Sequence, residues 1–196
     1  MKILISADGM DWKRVGTAIT YSKNTISAKD SYNLEFIYEF DAPAKSIHFC
    51  YGYPYNYTSK LLAFLELTEN KNYSKKCIKK SVLCKSTMGN DVPLISISNN
   101  ILFMKTQKPI VYMIGRQHPG ESPSSFVVEG FINFLLSNRL EAEALREEFE
   151  FRIIPMVNVD GVISGNYRTN ISGNDVNRQW IFPSKALHPE IYFLKQ

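Results

Sequence analysis

Cysteine is scarce in this sequence. It contains three cysteines among 196 residues, and Cys50, Cys77 and Cys84 form no Cys-x-x-Cys pair. An odd number without metal-ligand spacing argues against a disulfide framework and against a thiolate zinc site. We therefore predict reduced cysteines and a cytoplasmic location.

Long hydrophobic runs are lacking as well. The first six residues carry one positive charge and an apolar stretch that is too short for a signal peptide. The longest apolar segment, residues 126–136, is interrupted by Glu129, whereas a membrane-spanning helix needs about 20 apolar residues. The sequence therefore predicts neither secretion nor a membrane partner.

No large excess of one charge is present. The 23 Lys and Arg against 19 Asp and Glu give a formal net charge of +4, which predicts no nucleic-acid partner but is compatible with acidic proteins. The lysine-rich stretch of residues 71–85 could guide an acidic substrate, but it is predicted to be a solvated helix end and hairpin edge. The hydrophobic share of 44% is that of a globular protein with a buried core.

Residues 1–52 are predicted to form a partial β-sandwich domain. Residues 16–21, 32–40 and 45–51 are short segments rich in β-forming residues, and the second alternates between apolar and polar positions. Because a lone meander with one apolar face needs a partner sheet, the remaining strands are predicted to be absent from the chain.

Residues 53–196 are predicted to form a second, α/β domain. A helix capped by Thr58 is followed by a hairpin that joins residues 78–85 to residues 92–98. The next apolar run, residues 109–115, has the composition of a buried strand.

A helix and another strand complete the predicted unit. Ser122 and Pro123 suit the cap and first position of a helix, whose predicted apolar face is Val127, Phe131, Phe134 and Leu135. Residues 149–157 form a further apolar run, and the Asn158-Val159-Asp160-Gly161 segment after it predicts a turn. This order predicts a mixed, mainly parallel sheet, with ligands beyond the carboxyl ends of its strands.

His118 and Glu121 lie at such a strand end. A histidine and a carboxylate three residues apart can reach one metal ion, and hydrolytic zinc sites use His and carboxylate ligands with an open position for water. A single His-x-x-Glu arises by chance in roughly one such sequence in five. Taken alone, it is better explained by a turn at Pro119-Gly120 that is flanked by surface polar residues.

Further polar residues follow the next predicted strand. Arg168, Asp175, Asn177 and Arg178 lie within eleven residues of one another. The planar guanidinium of arginine can pair with a carboxylate through two parallel hydrogen bonds, which suits recognition of a peptide C-terminus or an acidic side chain.

These segments, taken in order, resemble a known family. His118-Pro119-Gly120-Glu121, Asn158-Val159-Asp160-Gly161 and residues 173–180 are similar to successive blocks of the zinc metallocarboxypeptidases with the carboxypeptidase A-like fold. Gly115-Arg116-Gln117 and Gly165-Asn166-Tyr167-Arg168 resemble one branch, the cytosolic carboxypeptidases that trim glutamates from tubulin tails. The likeness covers nearly the whole chain.

The resemblance implies a site for one Zn²⁺ ion. His118 and Glu121 match the first two zinc ligands of the family. Asp175 matches the carboxylate that hydrogen-bonds the first ligand histidine and orients its ring.

The resemblance also implies a substrate site. Arg168 matches a residue that binds the substrate, polarises the scissile carbonyl and holds the oxyanion. Asn177 and Arg178 match the pair that grips the terminal carboxylate of the substrate, which would make the enzyme an exopeptidase.

Part of the family pattern is not found in this sequence. The third zinc ligand, a later histidine, and the catalytic glutamate are predicted to lie beyond Gln196. His188 lies in a stretch, residues 187–192, that resembles a family segment before the strand leading to the third ligand. It is not predicted to be a zinc ligand. The chain is therefore predicted to be a fragment with the first half of a carboxypeptidase-like α/β/α domain, inactive by itself.

The predicted function is zinc-dependent removal of C-terminal or branch glutamates from glutamate-rich protein tails such as those of tubulin. The resemblance implies a cytoplasmic protein associated with microtubules or cilia. Two alternatives remain open: a non-catalytic module that binds acidic C-termini, and a related zinc deacylase of acyl amino acids.

Overall fold

The chain folds into two compact units. The structure, a computed structural model, describes residues 2–26, 30–40, 46–69, 76–99, 101 and 108–196. The units are Met1–Pro54 and Tyr55–Gln196, and the boundary predicted after residue 52 lies just before this division. Residue 45 of the third predicted strand and residues 71–75 of the lysine-rich stretch lie outside the described residues.

The N-terminal unit consists of short antiparallel strands. They are β1 (Ile3–Ser6), β2 (Lys13–Val15), β3 (Thr17–Lys23), β4 (Tyr32–Ile37) and β5 (His48–Cys50). They form two sheets with the orders β2-β1-β5 and β3-β4. The three predicted strands are confirmed as β3, β4 and β5. β1 and β2 were not predicted, because runs of four and three residues are too short to show a periodicity.

The first helix of the C-terminal unit begins with a π-helical turn, Tyr57–Leu62, and continues as α1 (Ala63–Glu69). The predicted cap, Thr58, is wrong, because Asn56 holds that position. The Asn56 side-chain oxygen accepts hydrogen bonds from the amides three and four residues later, at 2.9 and 3.1 Å. Asparagine is among the best residues for this contact, and Thr58 lies inside the first turn.

A four-stranded mixed sheet forms the centre of the C-terminal unit. Its strands are β6 (Ile78–Lys85), β7 (Asp91–Ile97), β8 (Ile110–Ile114) and β9 (Glu150–Ile154), in the order β6-β7-β9-β8. The predicted hairpin is confirmed as β6 and β7, and β8 and β9 are parallel as expected. The pairing of β7 with β9 is antiparallel. A mainly parallel sheet was predicted, but among the described strands only the pair of β8 and β9 is parallel. The hairpin makes β7 antiparallel to β6, and β7 is antiparallel to β9 as well.

Two helices, α2 (Ser122–Leu135) and α3 (Leu140–Glu148), connect β8 to β9. Glu121 occupies the cap of α2, so the predicted cap residue Ser122 is the first helical position. The buried face of α2 is formed by Ser125, Val128, Ile132 and Leu135. Val127 was predicted on this face but is 62% exposed. Consecutive apolar residues at 126–128 made the choice of face ambiguous.

The segment after β9 is helical. Asn158-Val159-Asp160-Gly161 was predicted as a turn, but it begins α4 (Val159–Ile163). The Asn158 side-chain oxygen accepts the Gly161 N–H at 3.0 Å, and the same side-chain-to-backbone contact occurs in caps and in turns. The last described helix is α5 (Pro189–Lys195).

The remaining sequence predictions concern thiols and membranes. Cys50, Cys77 and Cys84 are all free in the structure, and that they form no disulfide remains a prediction. None of the helices in the described ranges is long and apolar enough to cross a bilayer.

Candidate metal centre

β8 ends in a close backbone contact with the segment after β9. The Gly115 N–H donates to Ile154 O at 2.8 Å, and Gly115 O accepts from the Val157 N–H at 3.0 Å. A Cβ at Gly115 would lie 2.8 Å from both Pro155 O and Val128 Cγ2. Only glycine fits this position, and its small size brings the two strand ends side by side.

His118 lies between two carboxylates. Its Nδ1 is 3.0 Å from Glu121 Oε1, and its Nε2 is 3.0 Å from Asp175 Oδ1. The residue is 8% exposed. Because each ring nitrogen faces a different acid, the orientation of the imidazole is set from both sides.

The side chains of His118 and Glu121 fit a shared zinc ion. Imidazole nitrogen and carboxylate oxygen bind zinc at about 2.0–2.2 Å, so two donor atoms 3.0 Å apart can both contact one ion. The Glu121 side chain is 58% exposed, which leaves this face accessible. Within the described ranges, no group of three or more His, Cys, Asp or Glu side chains could hold a metal. The described chain thus offers two ligands where hydrolytic zinc sites use three.

Asp175 joins the candidate metal ligand to an arginine. Its Oδ2 accepts from Arg168 Nε at 2.9 Å and from Arg168 Nη2 at 2.8 Å, and its Oδ1 accepts the Asn177 N–H at 2.9 Å. Partial burial raises the pKa of Asp175, but hydrogen bonds with His118 and Asn177 and the charge of Arg168 outweigh it and lower the pKa overall. The carboxylate is therefore ionised at neutral pH and can accept from the imidazole and the guanidinium together.

The other predicted substrate residues lie next to this contact chain. Asn177 and Arg178 follow Asp175 in a 3₁₀ turn, Val176–Arg178, and both are exposed. Arg178 Nη1 donates to Asn177 O at 3.3 Å, and the Arg168 side chain is 45% exposed. The structure thus links His118, Glu121, Asp175 and Arg168 by direct contacts, and it places two further polar side chains within reach of solvent.

Gly120 allows the loop with both candidate ligands to pack closely against the Arg168 loop, residues 165–168. Its N–H donates to Tyr167 O at 2.7 Å. A Cβ at Gly120 would lie 2.6 Å from the Tyr167 ring and 2.7 Å from Tyr167 O. Gly120 was not predicted to have this role, because a contact between residues so distant in sequence leaves no local signal.

A buried carboxylate joins the β6–β7 hairpin to α4. Asp160 accepts from Ser86 Oγ at 2.6 Å, from the Met88 N–H at 2.8 Å and from Asn90 Nδ2 at 2.9 Å. Burial raises the pKa of Glu190 to about 7, and the charge of Asp160 adds to this effect. This cluster was not predicted, because its residues lie far apart in the sequence.

His188 makes a local structural contact at the start of α5. It is 5% exposed, and its Nδ1 accepts the Ser184 N–H at 3.1 Å. That it is not a zinc ligand remains a prediction.

A family comparison covers the residues that build this site. Residues 61–191 match the family model described as zinc carboxypeptidase. Human "Cytosolic carboxypeptidase 1" is 37% identical over 202 residues, with 94% of this chain and 16% of that protein covered. Mouse "Cytosolic carboxypeptidase 2" is 38% identical over 188 residues, with 94% and 22% covered.

Solved structures are similar in fold. A metallo-carboxypeptidase from Burkholderia cenocepacia superposes with a TM-score of 0.77 at 27% identity, covering 99% of this chain and 48% of that one. A metallo-carboxypeptidase from Pseudomonas aeruginosa, in complex with (2-guanidinoethylmercapto)succinic acid, gives 0.75 at 25% identity, covering 100% and 47%. The chain therefore spans less than a quarter of the two relatives and just under half of the two solved enzymes.

Proposed function

Because this chain belongs to the zinc carboxypeptidase family, we propose that the protein is a zinc-dependent metallocarboxypeptidase that removes C-terminal or branch glutamates from protein tails such as those of tubulin. The observation that carries this proposal is the arrangement of His118 between Glu121 and Asp175. The names of the cytosolic relatives support a cytoplasmic location, and we extend it to microtubules and cilia as part of the same proposal.

His118 and Glu121 are the proposed ligands of a single Zn²⁺. When bound, zinc supplies a Lewis acid that polarises a carbonyl and lowers the pKa of water. Nε2 of His118 lies 3.0 Å from Asp175 Oδ1 and would donate to this carboxylate when Nδ1 binds the metal beside Glu121. This contact would hold the ring in the tautomer that metal binding through Nδ1 needs.

Arg168 is the proposed oxyanion-binding residue. Its guanidinium would donate to the carbonyl oxygen that gains negative charge during peptide cleavage, a contribution of roughly 3 kcal/mol in comparable sites. The contact with Asp175 holds this cation beside His118, and its exposure allows substrate to approach.

Asn177 and Arg178 are the proposed carboxylate clamp. A guanidinium and a side-chain amide both donate to carboxylate oxygens, and neither is buried. Binding the terminal carboxylate here would restrict cleavage to chain ends. The described residues supply two of the three protein ligands that hydrolytic zinc sites use.

A test of the proposal uses the natural full-length protein that contains this sequence. Release of glutamate from a peptide ending in several glutamates is followed by mass spectrometry, beside the same peptide ending in lysine. We expect loss of activity in His118→Ala and in chelator, and little release of lysine. Undiminished activity in either case would contradict the zinc mechanism. Tight stoichiometric zinc binding by the isolated chain would contradict the two-ligand account.

A second candidate is a module that binds acidic C-termini without metal. It is supported by the exposed Asn177 and Arg178 beside a site with two ligands in the described ranges. Binding of a glutamate-ended peptide that persists in chelator and is lost in Arg178→Ala, but not in the exposed control Arg139→Ala, would favour it. The deacylase alternative is not carried forward, because the matching family model is that of zinc carboxypeptidases.

A further inference from the structure

We infer that Arg116 is a positioning residue that fixes the metal loop, residues 117–121, in the geometry that lets His118 and Glu121 share one ion. The inference rests on the proposed function, because it concerns how the proposed ligands are held. Arg116 is a buried cation, and it takes no direct part in the proposed chemistry.

The backbone of Arg116 has an unusual conformation. Its φ is +54°, in the left-handed region that residues other than glycine seldom occupy. Such residues persist where surrounding contacts over-determine them, and they cluster at functional sites. At Arg116 the chain leaves β8 and enters the metal loop.

The backbone groups of Arg116 are held from two sides. Its N–H donates to Ser124 Oγ in the first turn of α2 at 3.1 Å, and its carbonyl accepts the Asn158 N–H at 3.2 Å. The start of the metal loop is therefore joined both to the helix that follows it and to the cap of α4.

The side chain of Arg116 then supports the middle of the metal loop from within the protein. The residue is 6% exposed. Its Nε donates to Pro119 O at 2.8 Å, and its Nη1 donates to Tyr55 O at 3.0 Å and to Ser125 Oγ at 2.9 Å. One guanidinium thus ties the loop to α2 and to the segment before the π-helical turn.

Pro119 lies between the two proposed ligands, so the position of its carbonyl governs their spacing. The His118 carbonyl also accepts the Glu121 N–H at 3.1 Å, which closes a tight turn around Pro119. If the contact to Pro119 O were lost, this turn would lose its attachment to the protein interior.

Lysine at position 116 cannot make the same set of hydrogen bonds as Arg116. Arginine presents donors in a rigid planar fork that points toward several acceptors at once, whereas lysine carries one compact ammonium on a flexible stem. Arg116→Lys therefore preserves the charge and removes the simultaneous contacts to Pro119, Tyr55 and Ser125.

The test compares Arg116→Lys with Arg146→Lys in the natural full-length protein that contains this sequence. Arg146 is a matched control, because it is 9% exposed and donates to Ser137 O at 3.2 Å and to Asn99 Oδ1 at 3.0 Å, away from the metal loop. Zinc affinity is measured by competition with a weak chromophoric chelator. Hydrogen exchange is measured at the amides of Gly120 and Glu121.

We expect Arg116→Lys to weaken zinc affinity by about 10- to 100-fold, as for other residues that orient metal ligands. The two loop amides should exchange roughly tenfold faster. Arg146→Lys should leave the zinc affinity and both loop amides within about twofold of the unmodified chain, as expected for a distant independent site. Ser125→Ala removes one acceptor of Nη1 and should shift both readouts in the direction of Arg116→Lys by a smaller factor, so it decides the matter if Arg116→Lys does not fold.

Equal effects of Arg116→Lys and Arg146→Lys, or no effect of Arg116→Lys, would overturn the inference while the proposed zinc site stands. A complete absence of zinc binding in the natural full-length protein would instead refute the proposed function. The exchange rates at Gly120 and Glu121 would then decide alone whether Arg116 fixes the loop.

Discussion

Replacing Gly120 by alanine should loosen the contact between the metal loop and the Arg168 loop. The added Cβ would lie 2.6 Å from the Tyr167 ring and 2.7 Å from Tyr167 O, whereas ordinary contacts begin at 3.4 Å. The loop must therefore retreat by about 0.8 Å, which stretches the 2.7 Å hydrogen bond from the Gly120 N–H to Tyr167 O.

The expected loss of stability combines two effects. A lost hydrogen bond costs about 0.5–1.5 kcal/mol, and overpacking costs about 1–3 kcal/mol. We predict that Gly120→Ala lowers the free energy of unfolding by about 2–4 kcal/mol, which moves a urea midpoint by roughly 1–2 M at a typical slope.

Urea unfolding should be followed through Trp180 fluorescence in a Trp12→Phe background. The chain has two tryptophans, one in each unit, so this background reports on the C-terminal unit alone. The control is Gly130→Ala within α2, where a Cβ meets nothing within 4 Å and alanine should stabilise by about 0.5–1 kcal/mol. A change below about 0.5 kcal/mol for Gly120→Ala, or equal losses in both variants, would refute the packing argument.

Three further predictions concern single side chains. In the full-length protein, Arg168→Ala should lower kcat/KM by about 100- to 1000-fold, and a loss below fivefold would contradict its oxyanion role. Burial, with a contribution from Asp160, raises the pKa of Glu190 from 4.5 to about 7, so stability should fall as the pH rises between these values. Glu190→Gln should remove this pH dependence and raise the free energy of unfolding by up to about 3 kcal/mol at pH 8 but not at pH 4. If the free energy of unfolding fell equally with pH in the unmodified protein and in Glu190→Gln, this prediction would be refuted. Burial, with a contribution from Glu190, raises the pKa of Cys84 to about 12, so alkylation of its thiol should be slower than that of Cys50 and Cys77.

The order of elements could be predicted where local patterns were strong. The β6–β7 hairpin surrounds a recognisable turn, and the apolar runs of β8 and β9 flank a helical pattern, which together predict a parallel pair. His118 and Glu121 could be paired because they follow the same strand within a few residues. These signals arise within short stretches of chain, where periodicity and turn chemistry act directly.

The predictions that were wrong involve patterns that suit two local structures. Asn56 and Thr58 are both good cap residues, and the surrounding chain decides which one is used. Asn158 to Gly161 suits a turn as well as a capped helix. Flanking geometry, rather than residue preference, settles such cases.

The residues that escaped prediction owe their roles to contacts between distant segments. Arg116 adopts its left-handed backbone conformation because tertiary contacts hold it there. Arginine has no preference for this conformation that could have predicted it from the sequence. Likewise, Asp160 meets Ser86 from another part of the chain. Asp175 and Arg168 were assigned through family resemblance, and spacing alone would not have predicted their contact with each other.

¹⁵N NMR of the imidazole rings during a zinc titration tests most directly whether His118 binds zinc through Nδ1 while Asp175 holds Nε2. The signal of His118 is assigned by its loss in His118→Ala. We predict that zinc shifts Nδ1 of His118, that Nε2 remains protonated, and that Glu121→Ala abolishes the response. A shift centred on Nε2, or zinc binding that leaves the His118 ring unchanged, would contradict the account.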